Sequence, residues 1–159
     1  MSALFCEDNV RFVLRTLLRL GAPPRDAEDL AQEVFVIAHR RASEFDAARL
    51  AAPWLFGITK NVLRDYRKLA RNRYEVLDDA GERSTVTRDD DVDLLRRAIA
   101  ALPEELSDVV ILCDLSGLTV LETASALGVP EGTLKDRLRR ARRDLRVEID
   151  RRRQEAAHA

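Results

Sequence analysis

The chain is poor in the residues that break helices or build strands. Among 159 residues there are 6 glycines and 5 prolines, and aromatics make up 5%. No run of alternating β-branched residues appears, so strands are not expected. The two cysteines, Cys6 and Cys113, have no metal-ligand spacing, and Cys113 sits in the apolar run VVILC as a small core residue. His39 and His158 are the only histidines, and no nucleophile–base pair, glycine-rich phosphate loop or ligand cluster accompanies them. Enzymatic chemistry, a cofactor and a metal are therefore not expected. The start lacks a basic segment followed by a long apolar stretch, and no apolar run approaches the roughly 20 residues of a membrane span. Neither a secretory signal nor membrane insertion is expected, and the chain reads as cytoplasmic.

What the chain has in quantity is charge, 35% of all residues, beside leucine and alanine. The formal net charge of −1 looks wrong for a nucleic-acid binder until it is divided along the sequence. Residues 54–73 hold Lys60, Arg64, Arg67, Lys68, Arg71 and Arg73 against Asp65 alone. From 75 to 93 the balance reverses, with Glu75, Asp78, Asp79, Glu82, Asp89, Asp90, Asp91 and Asp93 against Arg83 and Arg88. Residues 131–153 carry ten Lys or Arg against five acids. Local patches, not the total, set the field that a polyanion meets.

The most informative stretch is LTVLETASALGVPEGTLKDRLRRARR, from Leu118 to Arg143. Thr119 and Glu122 have capping-box spacing, which predicts a helix start. Gly128 falls where a left-handed residue ends that helix, Val129 suits the angle, and Pro130 suits the entry to a second helix. There Leu134, Leu138, Ala141 and Leu145 share one face, leaving Lys135, Asp136, Arg139, Arg140, Arg142 and Arg143 exposed. A helix-turn-helix lays such a second helix in the DNA major groove. The same spacings also fit any helical hairpin with a solvated basic face.

The rest of the chain predicts an all-α protein of two small helical bundles, joined by an acidic flexible linker, the second ending in the helix-turn-helix. The boundaries are 1–73, a linker over 74–93, 94–153, and a tail over 154–159. In the first half, Val10, Val13, Leu14, Leu17 and Leu18 stripe one helix, which Gly21, Pro23 and Pro24 stop. Asp26 opens the next, with Ala27, Leu30, Ala31, Val34, Phe35 and Ala38 inward. A loop from Ser43 to Pro53 leads to a third, where Leu55, Ile58, Val62, Tyr66 and Leu69 face inward. In the second half, Leu94–Ala101 and a helix from Pro103 to about Ser116 precede the helix-turn-helix.

Two blocks resemble the extracytoplasmic-function (ECF) sigma factors of bacterial RNA polymerase. DAEDLAQEVFVIAHRR followed by WLFGITKNVLRDYRK is similar to that family's region 2. LPEELSDVVILCDLSGLTVLETASALGVPEGTLKDRLRRARRDLR is similar to its region 4, and the order and acidic linker match as well. The resemblance implies a subunit that binds core RNA polymerase, recognises −10 and −35 promoter elements, and helps melt the start site. It implies that Leu30, Gln32 and Glu33 contact the clamp helices of the β′ subunit, although Leu30 equally suits bundle packing and Gln32 and Glu33 a solvated face. The β subunit is a further implied partner. Asn61 matches the asparagine that captures a base flipped from the −10 strand, and an amide suits reading an unstacked base. Lys60, Arg64, Lys68 and Arg71 would hold that strand's backbone, while Trp54 could stack on DNA but in this motif better suits packing the bundle. Gly132, Thr133, Lys135, Asp136, Arg139, Arg140, Arg142 and Arg143 would meet the −35 duplex, some at bases and some at phosphates. An anti-sigma factor is the expected controlling partner.

Asp136 departs from the family pattern, which usually has serine there, and so places a carboxylate near DNA. Leu50, Pro53 and His39 depart from it too. Two other functions fit parts of the chain. A stand-alone regulator would bind operators tightly without polymerase, and an adaptor would leave Asn61 and Lys135 without a role.

Overall fold

The computed structural model describes residues 3–74 and 90–159, and helices are the only regular elements among them. The chain forms two compact units, Met1–Val86 and Thr87–Ala159. Most of the acidic stretch read as a linker, 75–89, lies outside the described residues.

The first unit packs three helices, each against both others: α1 (Glu7–Arg19), α2 (Pro24–Arg40) and α3 (Ala51–Tyr74). Its core joins Val13, Leu17, Leu30, Ala31, Val34, Ala38, Leu55, Ile58, Val62 and Leu63. Each of the valine, leucine and isoleucine side chains among them stabilises the fold by roughly 1.5–3 kcal/mol relative to exposure. Gly21, at φ 93°, ends α1, with Ala22 N–H donating to Leu17 O at 2.9 Å and Gly21 N–H to Leu18 O at 3.1 Å. That is the Schellman pattern, and it costs least with glycine at the left-handed position. From α3, Arg67 donates to the carbonyl of Leu20, and Tyr66 Oη donates to Asp26 Oδ2 at 2.5 Å. Burial lowers the pKa of Arg67, as desolvation disfavours its charge.

Several expectations are corrected here. Pro23 and Pro24 begin α2 rather than only stopping α1, because a proline at the first helical position gives up an N–H that has no partner anyway. For the same reason Pro53 falls inside the first turn of α3, which starts at Ala51. Leu69 is 64% exposed, and Val10 and Leu18 are also exposed, so the inward stripes of α3 and α1 are narrower than their leucines and valines imply. Trp54 packs on the core, its ring 5.1 Å from that of Phe45.

The second unit contains α4 (Asp90–Ala100), α5 (Glu104–Val109), α6 (Val120–Leu127) and α7 (Glu131–Ala157). Helix α4 begins four residues before the expected Leu94, since Asp90, Asp91 and Asp93 occupy a first turn where the helix dipole favours acids. Helix α5 continues as a π-helical segment, Val110–Leu115, and Gly117 turns the chain at φ 76°. Thr119 caps α6 in a complete capping box with Glu122, both bonds 3.1 Å. Gly128 then adopts φ 67°, with Val129 N–H reaching Ala124 O at 3.1 Å. Helix α7 locks onto the others through Val109, Ala124, Leu134 and Leu138, and runs on through 154–157, which was expected to be a tail.

Candidate nucleic-acid interface

The helix-turn-helix is a rigid mount for the basic face of α7. Leu134, Leu138 and Ala141 are buried against the unit. One face of a helix is thereby fixed, so the residues opposite are presented outward. Gly132, Thr133, Lys135, Asp136, Arg139, Arg140, Arg142 and Arg143 are all exposed. The face is not a bare cationic surface. Lys135 Nζ lies 3.2 Å from Glu131, and Arg139 Nη2 lies 2.6 Å from Asp136 Oδ1. Arg142 is held from the π-helical segment by Asp114, Nε to Oδ2 at 3.0 Å and Nη2 to Oδ1 at 2.6 Å. This two-pronged pairing raises the pKa of Arg142 and ties α7 to the segment before the turn. Lys135, Arg139, Arg142, Arg143 and Arg146 line a groove of about 470 Å³ together with Val120 and Leu138.

Gly132 is exposed, and a Cβ built there would meet nothing within 4 Å. The fold itself does not require glycine at this helix start. Its absent side chain instead lets the backbone N–H groups of the first turn approach an anion.

In the first unit, α3 presents a second polar face. Gly57, Asn61, Arg64, Lys68 and Arg71 are exposed at helical spacing on one stripe, with Lys60 half-buried at its edge and its ammonium 5.6 Å from the Phe56 ring centre. Arg64 Nη1 donates to Asn61 Oδ1 at 3.3 Å. A guanidinium only donates, so the amide oxygen of Asn61 faces Arg64 and its NH₂ group is turned away.

On α2, Leu30 is 5% exposed and its side chain packs in the bundle core. Gln32 and Glu33 are exposed. Gln32 borders an apolar groove of about 770 Å³ whose walls include Phe5, Val10, Leu14, Phe35 and Val36. This groove explains why Val10 left the expected core.

Sequence reasoning missed Asp114, Arg146 and Gly57. A carboxylate 28 positions from its arginine gives no local signal, but Arg146 continues the spacing of Lys135, Arg139 and Arg142 by a further turn. Gly57 was legible as a glycine inside a helix, where it costs about 0.5–1 kcal/mol relative to alanine. A Cβ there would also meet nothing within 4 Å. Among the described residues no group of His, Cys, Asp or Glu has the arrangement of a metal site, and no helix is long and apolar enough to cross a membrane.

Family models match both units: Sigma-70 region 2 over residues 5–73 and Sigma-70 region 4 over residues 93–145. The chain is 33% identical over 144 residues to the ECF RNA polymerase sigma factor SigE of Mycolicibacterium smegmatis, covering 84% of this chain and 56% of that one. It is 33% identical over 157 residues to the ECF RNA polymerase sigma factor SigL of Mycobacterium tuberculosis, covering 94% and 88%. Among solved structures, CnrH in complex with the cytosolic domain of CnrY superimposes with a TM-score of 0.65 at 25% identity, covering 88% of this chain and 81% of that chain. RpoE of Bartonella quintana, in complex with the anti-sigma factor NepR, shares the fold with a TM-score of 0.61 at 21% identity, covering 89% and 91%.

Proposed function

The chain belongs to the ECF family of RNA polymerase sigma factors, and from that membership we propose how its two units divide the work of starting transcription. It is a promoter-specificity subunit with no chemistry of its own. It binds core RNA polymerase and directs it to promoters by recognising −10 and −35 elements. The observation that carries this reading is the pairing of two outward polar faces, on α3 and α7, each backed by a buried stripe of its own unit.

Helix α7 enters the −35 duplex, with Gly132 and Thr133 at a phosphate and Lys135, Asp136, Arg139, Arg140, Arg142 and Arg143 along the groove and its walls. Helix α3 receives the melted −10 strand. Asn61 offers its NH₂ group to an acceptor on an unstacked base, while Lys60, Arg64, Lys68 and Arg71 hold the phosphates. Gln32 and Glu33 are the contacts to the β′ clamp helices, and the β subunit is a further partner. Leu30 sets the position of α2 from inside the bundle. The acidic segment joins the units, and the protein works in the cytoplasm, where polymerase is.

A protein partner controls the factor. The apolar groove between α1 and α2 supports this, as does CnrH, whose structure was solved with CnrY bound. Run-off transcription tests the function as a whole. Core polymerase alone gives no promoter-specific transcript and the reconstituted holoenzyme does. An equal transcript without this chain would refute the assignment.

A further inference from the structure

The outermost part of α7 carries a carboxylate and a guanidinium joined to each other. At 3.6 residues per turn, Gly132 and Asp136, near the helix start, lie opposite the buried Leu134, Leu138 and Ala141, with Arg139 beside them. These positions travel deepest when a recognition helix enters the major groove. Asp136 Oδ1 accepts from Arg139 Nη2 at 2.6 Å, although the two side chains are 65% and 78% exposed. Phosphates repel a carboxylate, so the place for Asp136 on DNA is above the base edges, between the two backbones. An arginine there has five N–H donors in a planar fork, and guanine O6 and N7 are the acceptors that such a fork matches.

Resting on the reading of α7 as the −35 helix, we propose that Asp136 is a positioning residue that fixes the guanidinium plane of Arg139 to read one guanine of the −35 element. One hydrogen of Nη2 goes to the carboxylate, and the remaining N–H groups of the fork face the base. The pair restricts a long, freely rotating side chain before DNA arrives, so less freedom is lost on binding. Expulsion of water from the groove then strengthens the contact between the two charges. Asp136 thus exchanges some attraction to phosphate for discrimination at one base pair.

The test is transcription by holoenzyme, reconstituted from the full chain and core polymerase, on a template pool with randomised upstream DNA, followed by sequencing of the transcribed templates. The wild type enriches guanine at one −35 position by about 5-fold or more, the low end for one bidentate arginine contact. Arg139→Ala removes that enrichment. Asp136→Asn reduces it severalfold at the same position alone, while total template binding at low salt stays equal or rises because a negative charge is gone. Both sites are exposed, so melting temperatures should stay at the wild-type value. Three results would overturn the proposal: unchanged enrichment in Asp136→Asn, equal weakening at every −35 position, or loss of a cytosine preference in Asp136→Asn that Arg139→Ala leaves intact. A wild-type pool with no −35 preference at all contradicts the −35 reading of α7 itself, and so separates the two failures.

Discussion

Gly132, which we propose sits at a phosphate, is a glycine that the fold itself does not require. Its open surroundings mean that alanine fits without collision. Gly132→Ala should therefore leave the chain as stable or stabilise it by up to about 1 kcal/mol, by urea titration, since glycine is the poorer helix former. The same variant should weaken binding of holoenzyme to −35 duplex, because the added methyl keeps the first-turn amides from a phosphate; unchanged binding would remove the role given to this residue. Asp114 makes the opposite case, a residue whose value lies within the protein. Its pair with Arg142 is half in water, so Asp114→Asn should cost under about 1 kcal/mol of stability. The freed Arg142 should raise non-specific DNA binding at low salt in a filter-binding assay. The pair that Asp114 makes with Arg142 was not visible locally in the sequence. The exposure of Arg142 was legible from helical spacing, whereas its partner arrives from another element through tertiary packing.

Among the elements, α7 has two parts held by different forces. Its first three turns depend on apolar burial. Leu134→Ala should cost about 2–5 kcal/mol, the usual range for emptying a fully buried leucine site, and denaturant titration checks it. Its last turns rest on ion pairs at the surface around a half-buried Glu148, which accepts from Arg151 at 2.6 Å and from Arg152 at 2.7 Å. Those partners lower the pKa of Glu148 from its ordinary 4.5. A folded value below the unfolded one gives stabilisation that is present above pH 4.5 and is lost as pH falls through the lower folded value. Carboxyl ¹³C NMR should place the Glu148 midpoint below 4.5; a midpoint at or above it contradicts the pairing. The helix-turn-helix was legible in full, because the capping box, the left-handed Gly128 and the buried stripe are all local chemistry. The starts of α2, α3 and α4 were not. Pro23, Pro24 and Pro53 look like breaks in a sequence, yet prolines fit first turns. The stripe of α3 ended before Leu69, because burial depends on what lies opposite, which periodicity does not record.

At the scale of the molecule, a formal charge of −1 coexists with two faces suited to a polyanion. Family membership was legible because two separate blocks occur in the right order, each more informative beside the other. The apolar groove beside Gln32 was less so, because it is assembled from α1 and α2 together. With each neutralised phosphate adding about 0.9 to the salt slope, Lys135→Ala or Arg143→Ala should lower the slope of holoenzyme–promoter affinity by about that much. Footprinting of the holoenzyme on a promoter, with permanganate to report unpaired thymines, tests the division of labour between the units most directly. The account predicts protection near −35 and melting near −10 with the complete holoenzyme. Substituting Lys135 and Arg143 by alanine should weaken the −35 protection while melting persists on a promoter with a strong −10 element. Asn61→Ala should suppress melting while −35 protection remains. Loss of both signals together in each variant, or a full footprint by this chain without polymerase, would contradict it.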